Sequence, residues 1–210
     1  MPSLSYFDNT PGAAWFLIPF VSIFGDNILI IRTVSALSGA FTSVAISLAA
    51  TALVPTLNNQ QRILLLWLSS LRGMALISTM VWTPDTSLLL FSALGFWQLF
   101  RALEHNNTSS WIWTGVFFAF ALLAKANTGL YIAIIGLWML FHPKGRNYLT
   151  SPGPWLGFSI ILLALLPVLL WNMQNDWAFV RFQGGHIFSP DTQVSTPGEN
   201  QFNINFTGAA

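Results

Sequence analysis

Long apolar runs separated by short polar stretches dominate the chain from residue 28 to residue 171. A helix of about 20 apolar residues crosses a hydrocarbon core of about 30 Å, so runs near this length predict membrane spans. The runs that we take as single spans are Ile28–Leu53, Ile63–Val81, Thr86–Leu103 and Trp155–Trp171. The earlier run Trp15–Phe24 is too short to cross and contains Pro19, so we expect an interfacial helix or a partly embedded hairpin there.

The apolar run Trp111–Phe141 requires a decision between one span and two. Fully helical, it would measure about 46 Å at ~1.5 Å per residue, which is long for one crossing and short for two. A polar patch, Lys125–Gly129, interrupts it near the middle. Two short spans place four basic residues on one side of the membrane, against three on the other, which fits the positive-inside rule. The four residues are Arg62, Arg101, Lys144 and Arg146.

We therefore predict an all-α, polytopic transmembrane helical bundle of about six spans with both termini outside. In this arrangement residues 1–27 form an outer-face loop and interfacial helix, 28–171 form the bundle, and 172–210 form an outer-face loop and an irregular tail. Composition supports the class, because 7% of the residues are charged, against about 25% in soluble domains. This excludes a soluble enzyme and a disordered chain.

Two further counts exclude other kinds of function. The chain has no cysteine, which excludes thiol catalysis, disulfides and cysteine-ligated metals. Its formal net charge is +1, too small to indicate a nucleic-acid partner. The three histidines are scattered along the chain and form no metal-binding pattern, so no metal ligand is predicted.

Charged residues beside a span are energetically expensive, and Asp85 is the first that requires an explanation. It follows Thr83 and Pro84, between two predicted spans. It either caps the following helix or serves as an outward-facing carboxylate that can take a proton or bind a cation. Asp8, on the same predicted face, lies in a turn-like segment. Together the two carboxylates could divide the roles of base and orienting group, although the sequence does not show that they meet.

The basic residues on the predicted outer face are candidate ligands for a phosphate group, and they are Arg32, Lys125 and Arg181. Each has a plainer alternative: Arg32 can pair with Asp26, Lys125 can extend to the membrane surface, and Arg181 can be a solvated loop residue. Arg72 lies near the middle of a predicted span, where nearby serines can satisfy it.

Aromatic and amide side chains follow the last span. A sugar-binding lip is one interpretation, because aromatic rings stack on sugars and amides bond to hydroxyls; an aromatic belt at a helix end is the other. The candidate contacts for a sugar or acceptor are Trp171, Asn172, Gln174, Trp177, Gln183 and His186.

The order of these motifs resembles a known family. Tyr-Phe-Asp at Asp8 is followed by Phe-Gly-Asp, Arg32 opening a span, Thr-Pro-Asp at Asp85, an apolar run ending at Lys125, and the aromatic and amide cluster. This order resembles the membrane glycosyltransferases of the type-C fold, and among them the bacterial branch related to dolichyl-phosphate-mannose protein mannosyltransferases and lipid A aminoarabinose transferases. The resemblance extends from Tyr6 to His186.

The resemblance implies a hexosyl- or pentosyl-type transferase of the bacterial plasma (inner) membrane, with its site on the periplasmic or extracellular side. The donor would be a polyprenyl-phosphate-linked sugar, and the acceptor a lipid, a glycan or a protein. Asp85 and Asp8 match acidic positions of the family's outer loops, and Lys125 matches its lysine after the apolar run. No cofactor follows from the resemblance, and a divalent cation is left open.

Family members carry an Asp-Glu pair upstream of the Tyr-Phe-Asp motif, after an initial span. Because only Met1 to Ser5 precede Tyr6, we expect a truncated copy that lacks this pair. Two other functions remain open at this point. A small transporter or lipid-carrier flippase would account for Arg72 and the broken helix at Lys125, and a non-catalytic membrane subunit would need a partner that supplies the missing carboxylate.

Overall fold

The computed structural model describes residues 11–70 and 82–181, and the regular elements in these ranges are all α-helices. The chain is therefore an all-α membrane protein, as predicted. The helices are α1 (Gly12–Phe24), α2 (Ile28–Leu53), α3 (Asn59–Ser70), α4 (Pro84–His105), α5 (Thr108–Ala124), α6 (Thr128–Phe141), α7 (Pro143–Leu149) and α8 (Pro152–Gln174).

The helices follow the apolar runs closely. Helix α2 has the predicted bounds, while α4 and α8 extend a few residues beyond theirs. The segment predicted to be an interfacial helix or a hairpin is a helix, α1, which contains Pro19. The ambiguous run from Trp111 to Phe141 is divided between α5 and α6, which confirms the break at the polar patch.

Helices α2, α4 and α8 are long and apolar enough to cross a membrane. Helices α1, α5 and α6 are apolar but shorter, with 13, 17 and 14 residues. The predicted span Ile63–Val81 is described only as far as the end of α3, since residues 71–81 lie outside the described part of the chain. The number of spans, their orientation and the domain boundaries remain predictions.

Helix α7 was not expected from the apolar pattern, because it is short and polar. Pro143 stands in its first turn, and the His142 side chain accepts a hydrogen bond from the backbone N–H of Lys144 at 3.2 Å. The Tyr148 hydroxyl donates to the carbonyl of Leu103 at 2.6 Å, which fastens α7 to the end of α4. Helix α7 therefore closes one end of the bundle.

Small side chains let the central helices approach closely. Helix α4 packs between α2 and α5, and α5 packs on α8. The face that α2 buries includes Ser38 and Thr42, whose hydroxyls donate to carbonyls one turn earlier in the same helix, each at 2.7 Å. Between α5 and α8 the backbones meet at Gly115 and Gly157, where a Cβ on either residue would clash with the opposite helix. Close backbone approach at small residues is the usual basis of helix association in membranes.

Candidate functional site

Asp85 and Lys125 form an ion pair, although they are 40 residues apart in sequence. The Lys125 Nζ lies 2.7 Å from the Asp85 Oδ1. The pair forms because α4 and α5 pack side by side, so that the first turn of α4 lies beside the last turn of α5. The side chains keep 46% (Asp85) and 33% (Lys125) of their surface exposed, so a substrate can reach both charges.

Asp85 can take part in this pair because other residues cap its helix. Thr83 is the N-cap of α4 and forms a capping box with Thr86, and Pro84 occupies the first turn. The structure therefore contradicts the interpretation of Asp85 as the cap, and its carboxylate accepts a hydrogen bond from Lys125 instead. The helix dipole of α4 still favours a negative charge in this first turn.

Lys125 is placed by the break between α5 and α6. It is the C-cap of α5, and its extended backbone (φ −157°, ψ 132°) ends the helix. Its carbonyl accepts a hydrogen bond from the N–H of Thr128 at 3.2 Å, so the chain turns directly into α6. Lys125 therefore stands where the chain changes direction, with its ammonium group directed to Asp85.

The start of α1 lies against the end of α5, close to the ion pair. A Cβ on Gly12 would overlap the backbone of Leu123, so no larger residue fits this contact. The Trp82 indole N–H donates to the carbonyl of Ala13 at 3.2 Å. The same indole stacks on Phe16, with ring centroids 5.3 Å apart. Trp82 thus ties α1 to the segment that leads into Asp85.

We expect Trp82→Phe to weaken this tie without removing it, because phenylalanine keeps an aromatic face for Phe16 and loses the indole N–H. Loss of one hydrogen bond predicts a destabilisation of about 1 kcal/mol. Denaturant unfolding of the purified protein measures it, with Trp67→Phe as a matched control, since Trp67 is exposed on α3. Equal effects of the two substitutions would contradict the anchoring role of Trp82.

The other predicted phosphate ligands do not join the pair in this structure. Arg32 lies exposed near the start of α2, and Arg181 lies exposed in a helical turn at 178–181. Within the described residues neither side chain forms an ion pair, and the local pair between Arg32 and Asp26 does not form. Asp8 lies outside the described residues, three positions before Pro11, and Arg72 lies outside them as well.

The predicted sugar-binding lip is partly described. Trp171 is half-buried, while Gln174 and Trp177 are exposed. Asn172 is buried; its amide nitrogen donates to the carbonyl of Val168 at 2.9 Å, and its Oδ1 has no hydrogen-bond partner in the described part of the protein. The turn that follows α8 places Trp177 at a positive φ of 58°. Gln183 and His186 lie outside the described residues.

Three structural features of the site were missed by the sequence reasoning. They are the capping box at Thr83, the role of Trp82 as an anchor and the contact of Gly12 with α5. Thr83 carried a signal, since a threonine before a proline and an apolar run favours a helix start. Among the described residues, no three histidine or acidic side chains come close enough together to hold a metal ion.

The comparisons with known proteins give one match. No curated protein and no solved structure matches this chain. A family model described as dolichyl-phosphate-mannose-protein mannosyltransferase matches residues 8–171, most of the chain and both members of the ion pair. The chain therefore belongs to this family of membrane glycosyltransferases.

Proposed function

We propose that this chain transfers a sugar from a polyprenyl-phosphate donor to a hydroxyl group of a lipid, glycan or protein acceptor, at the outer face of the membrane. The observation that carries the proposal is the accessible ion pair between Asp85 and Lys125. Family membership makes the chain a glycosyltransferase of the membrane, and the pair supplies the opposite charges that such a transfer needs at one place.

The proposed step uses the two charges separately. The acceptor oxygen attacks the anomeric carbon of the sugar and forms the new C–O bond. The bond between that carbon and the phosphate oxygen breaks, and the phosphate leaves with the electron pair. Asp85 takes the proton of the acceptor hydroxyl as general base. Lys125 stabilises the negative charge that develops on the leaving phosphate.

The ion pair also suggests an order of binding. In the structure Lys125 is engaged by the Oδ1 of Asp85. A donor phosphate must compete for the same ammonium group, and once it binds there, both oxygens of Asp85 are free to accept a hydrogen bond from the acceptor hydroxyl. We therefore expect the donor to bind before the acceptor is activated.

The outer-face location rests on the distribution of charge along the helices. Asp85 stands at the start of α4 and Arg101 near its other end. Lys144 and Arg146 follow α6, again at the end away from Lys125. Basic residues favour the cytoplasmic side of a membrane, so the Asp85–Lys125 end is the outer one in the proposed orientation. In a bacterium this would be the periplasmic or extracellular side of the plasma membrane.

Further residues complete the proposed site when substrate is present. Asp8 would assist Asp85, and Arg32 and Arg181 would add charge for the phosphate. The sugar or the acceptor would contact the lip, of which Trp177 and Gln174 are exposed in the structure. Asn172 is buried, so it would have to move to contact a sugar, or else act by supporting the turn.

Lys125→Gln should raise the donor KM about tenfold or more, because a hydrogen bond to a charged group contributes about 1.5–3 kcal/mol. Lys125→Arg should retain part of the affinity, since it keeps a cation at this position. The assay follows transfer from a labelled polyprenyl-phosphate sugar in reconstituted vesicles. Arg62→Gln, which removes an exposed cation from α3, is the matched control. An unchanged donor KM in Lys125→Gln would contradict the phosphate-binding role.

A further inference from the structure

An apolar groove that encloses about 80 Å³ opens between α5, α6 and α8, with Leu99 of α4 also in its wall. At ~1.5 Å per residue, Leu99 follows Asp85 by about 21 Å along α4, and Phe118 precedes Lys125 by about 10 Å along α5. The groove therefore begins about two helical turns from the ion pair. The polar groups of its described lining are already satisfied: the Thr114 hydroxyl donates to the carbonyl of Ser110, and the Trp111 indole donates to Asn106. The groove therefore offers an occupant only apolar surface.

Glycines shape this groove. Gly115 and Gly157 draw α5 and α8 together along its floor. Helix α6 makes fewer contacts with α5 than α8 does, and a Cβ on Gly136 would find no atom within 4 Å. Helix α6 thus borders the groove and leaves space at Gly136. Leu137 and Leu140 of the same helix are exposed, so the groove opens on a surface that faces the hydrocarbon.

The basic helix α7 borders one end of the groove. Gly145 packs against Trp138 and Met139, and Met139 is itself part of the lining. Lys144 and Arg146 on this helix are exposed, and the Arg146 Nε donates to the carbonyl of Leu140 at 2.7 Å. Two cations therefore lie beside one end of the apolar groove, and neither has an acidic partner among the residues that the structure describes.

We infer that this groove binds an acyl chain of an anionic phospholipid, with the lipid phosphate held by Lys144 and Arg146. A hydrocarbon chain matches a lining that has no free polar group, and the phosphate matches the unpaired cations. The acid Glu104 lies 3.6 Å from His105 and forms no ion pair with these cations. The inferred site is separate from the proposed transfer site, and its test does not depend on transfer activity.

The test is a lipid competition with the delipidated full chain in detergent. The protein is offered equal amounts of phosphatidylglycerol and phosphatidylcholine with identical acyl chains, and native mass spectrometry counts the bound lipids. Each cation near a membrane surface contributes about fivefold to the affinity for an anionic headgroup, so we expect a preference of about 30-fold for phosphatidylglycerol. Equal binding of the two lipids would overturn the inference.

Two pairs of variants separate the headgroup from the chain. Arg146→Gln should lower the preference about fivefold, whereas Arg62→Gln should leave it unchanged; Arg62 is also exposed, and its Nε also donates to a backbone carbonyl, that of Leu57. Gly136→Leu should fill the groove and remove the tightly bound lipid, whereas Ala36→Leu, on the exposed face of α2, should not.

Other outcomes overturn the inference. If Gly136→Leu binds phosphatidylglycerol as the unaltered chain does, the lipid lies elsewhere. If a polyprenyl phosphate outcompetes phosphatidylglycerol at equal concentration on the unaltered chain, and Gly136→Leu removes its binding, the groove holds the chain of the sugar carrier instead. Should Gly136→Leu fail to fold, the comparison of Arg146→Gln with Arg62→Gln still tests the inference, because an equal headgroup preference in the two variants would overturn it.

Discussion

Asp85→Asn should lower the rate of sugar transfer by about 10³-fold, because a positioned general base contributes about 10²–10⁴-fold. Asparagine has nearly the same shape and can still accept a hydrogen bond from Lys125, but it cannot take the proton of the acceptor. The cap of α4 is formed by Thr83 and Thr86, so the helix should form unchanged. We therefore expect normal membrane insertion together with loss of transfer.

The donor KM distinguishes this role from a structural one. Asp85 holds Lys125 in the absence of substrate, and the neutral amide holds it less strongly. The donor phosphate then meets less competition, so the donor KM should stay the same or fall while kcat collapses. Lys125→Gln should show the opposite pattern, with a higher donor KM. Asp26→Asn is the matched control, since Asp26 is an exposed carboxylate between α1 and α2. Transfer that survives in Asp85→Asn would count against the proposed base.

The apolar pattern predicted the helices well because the membrane imposes a simple requirement. Backbone groups in hydrocarbon must bond within their own segment, so a long apolar run forms a helix whatever its neighbours do. The break at Lys125 was also predictable, since charge distribution favoured two helices over one. Helix α7 was missed because it lies outside this rule: it is a short polar segment fixed by Pro143, His142 and Tyr148.

The site was only partly predictable. The sequence placed Asp85 and Lys125 on one face, but their contact depends on α4 and α5 being neighbours in space. A sequence pattern does not show which helices pack together, because this depends on how the side chains on the two helix surfaces fit each other. The same is true of Gly12, whose importance comes from the backbone of Leu123 opposite it. Arg32 and Arg181, which were also predicted as phosphate ligands, lie exposed and form no ion pair within the described residues.

The second large effect, a loss of stability, is expected at the close crossing of α5 and α8. A Cβ on Gly115 would overlap the carbonyl oxygen of Gly157, and a Cβ on Gly157 would lie 2.6 Å from the carbonyl oxygen of Trp111. Backbone atoms cannot rotate away as a side chain can, so the helices must separate. Trp111 and Ile161, which belong to the same buried cluster, would then lose part of their packing.

Gly115→Ala should therefore lower the free energy of unfolding by about 3 kcal/mol, at the upper end of the range for overpacked sites. Gly136→Ala provides the matched control, because it makes the same change inside a helix where the new methyl group meets no atom within 4 Å. There we expect a gain of about 0.5–1 kcal/mol, since alanine favours a helix over glycine. Unfolding by denaturant in detergent micelles measures both values. The two substitutions should have effects of opposite sign on the free energy of unfolding, and a stabilising effect of Gly115→Ala would mean that α5 and α8 do not meet at this glycine.

Since α5 carries Lys125 at its end, the same displacement should also reduce sugar transfer, whereas Gly136→Ala should leave transfer unchanged.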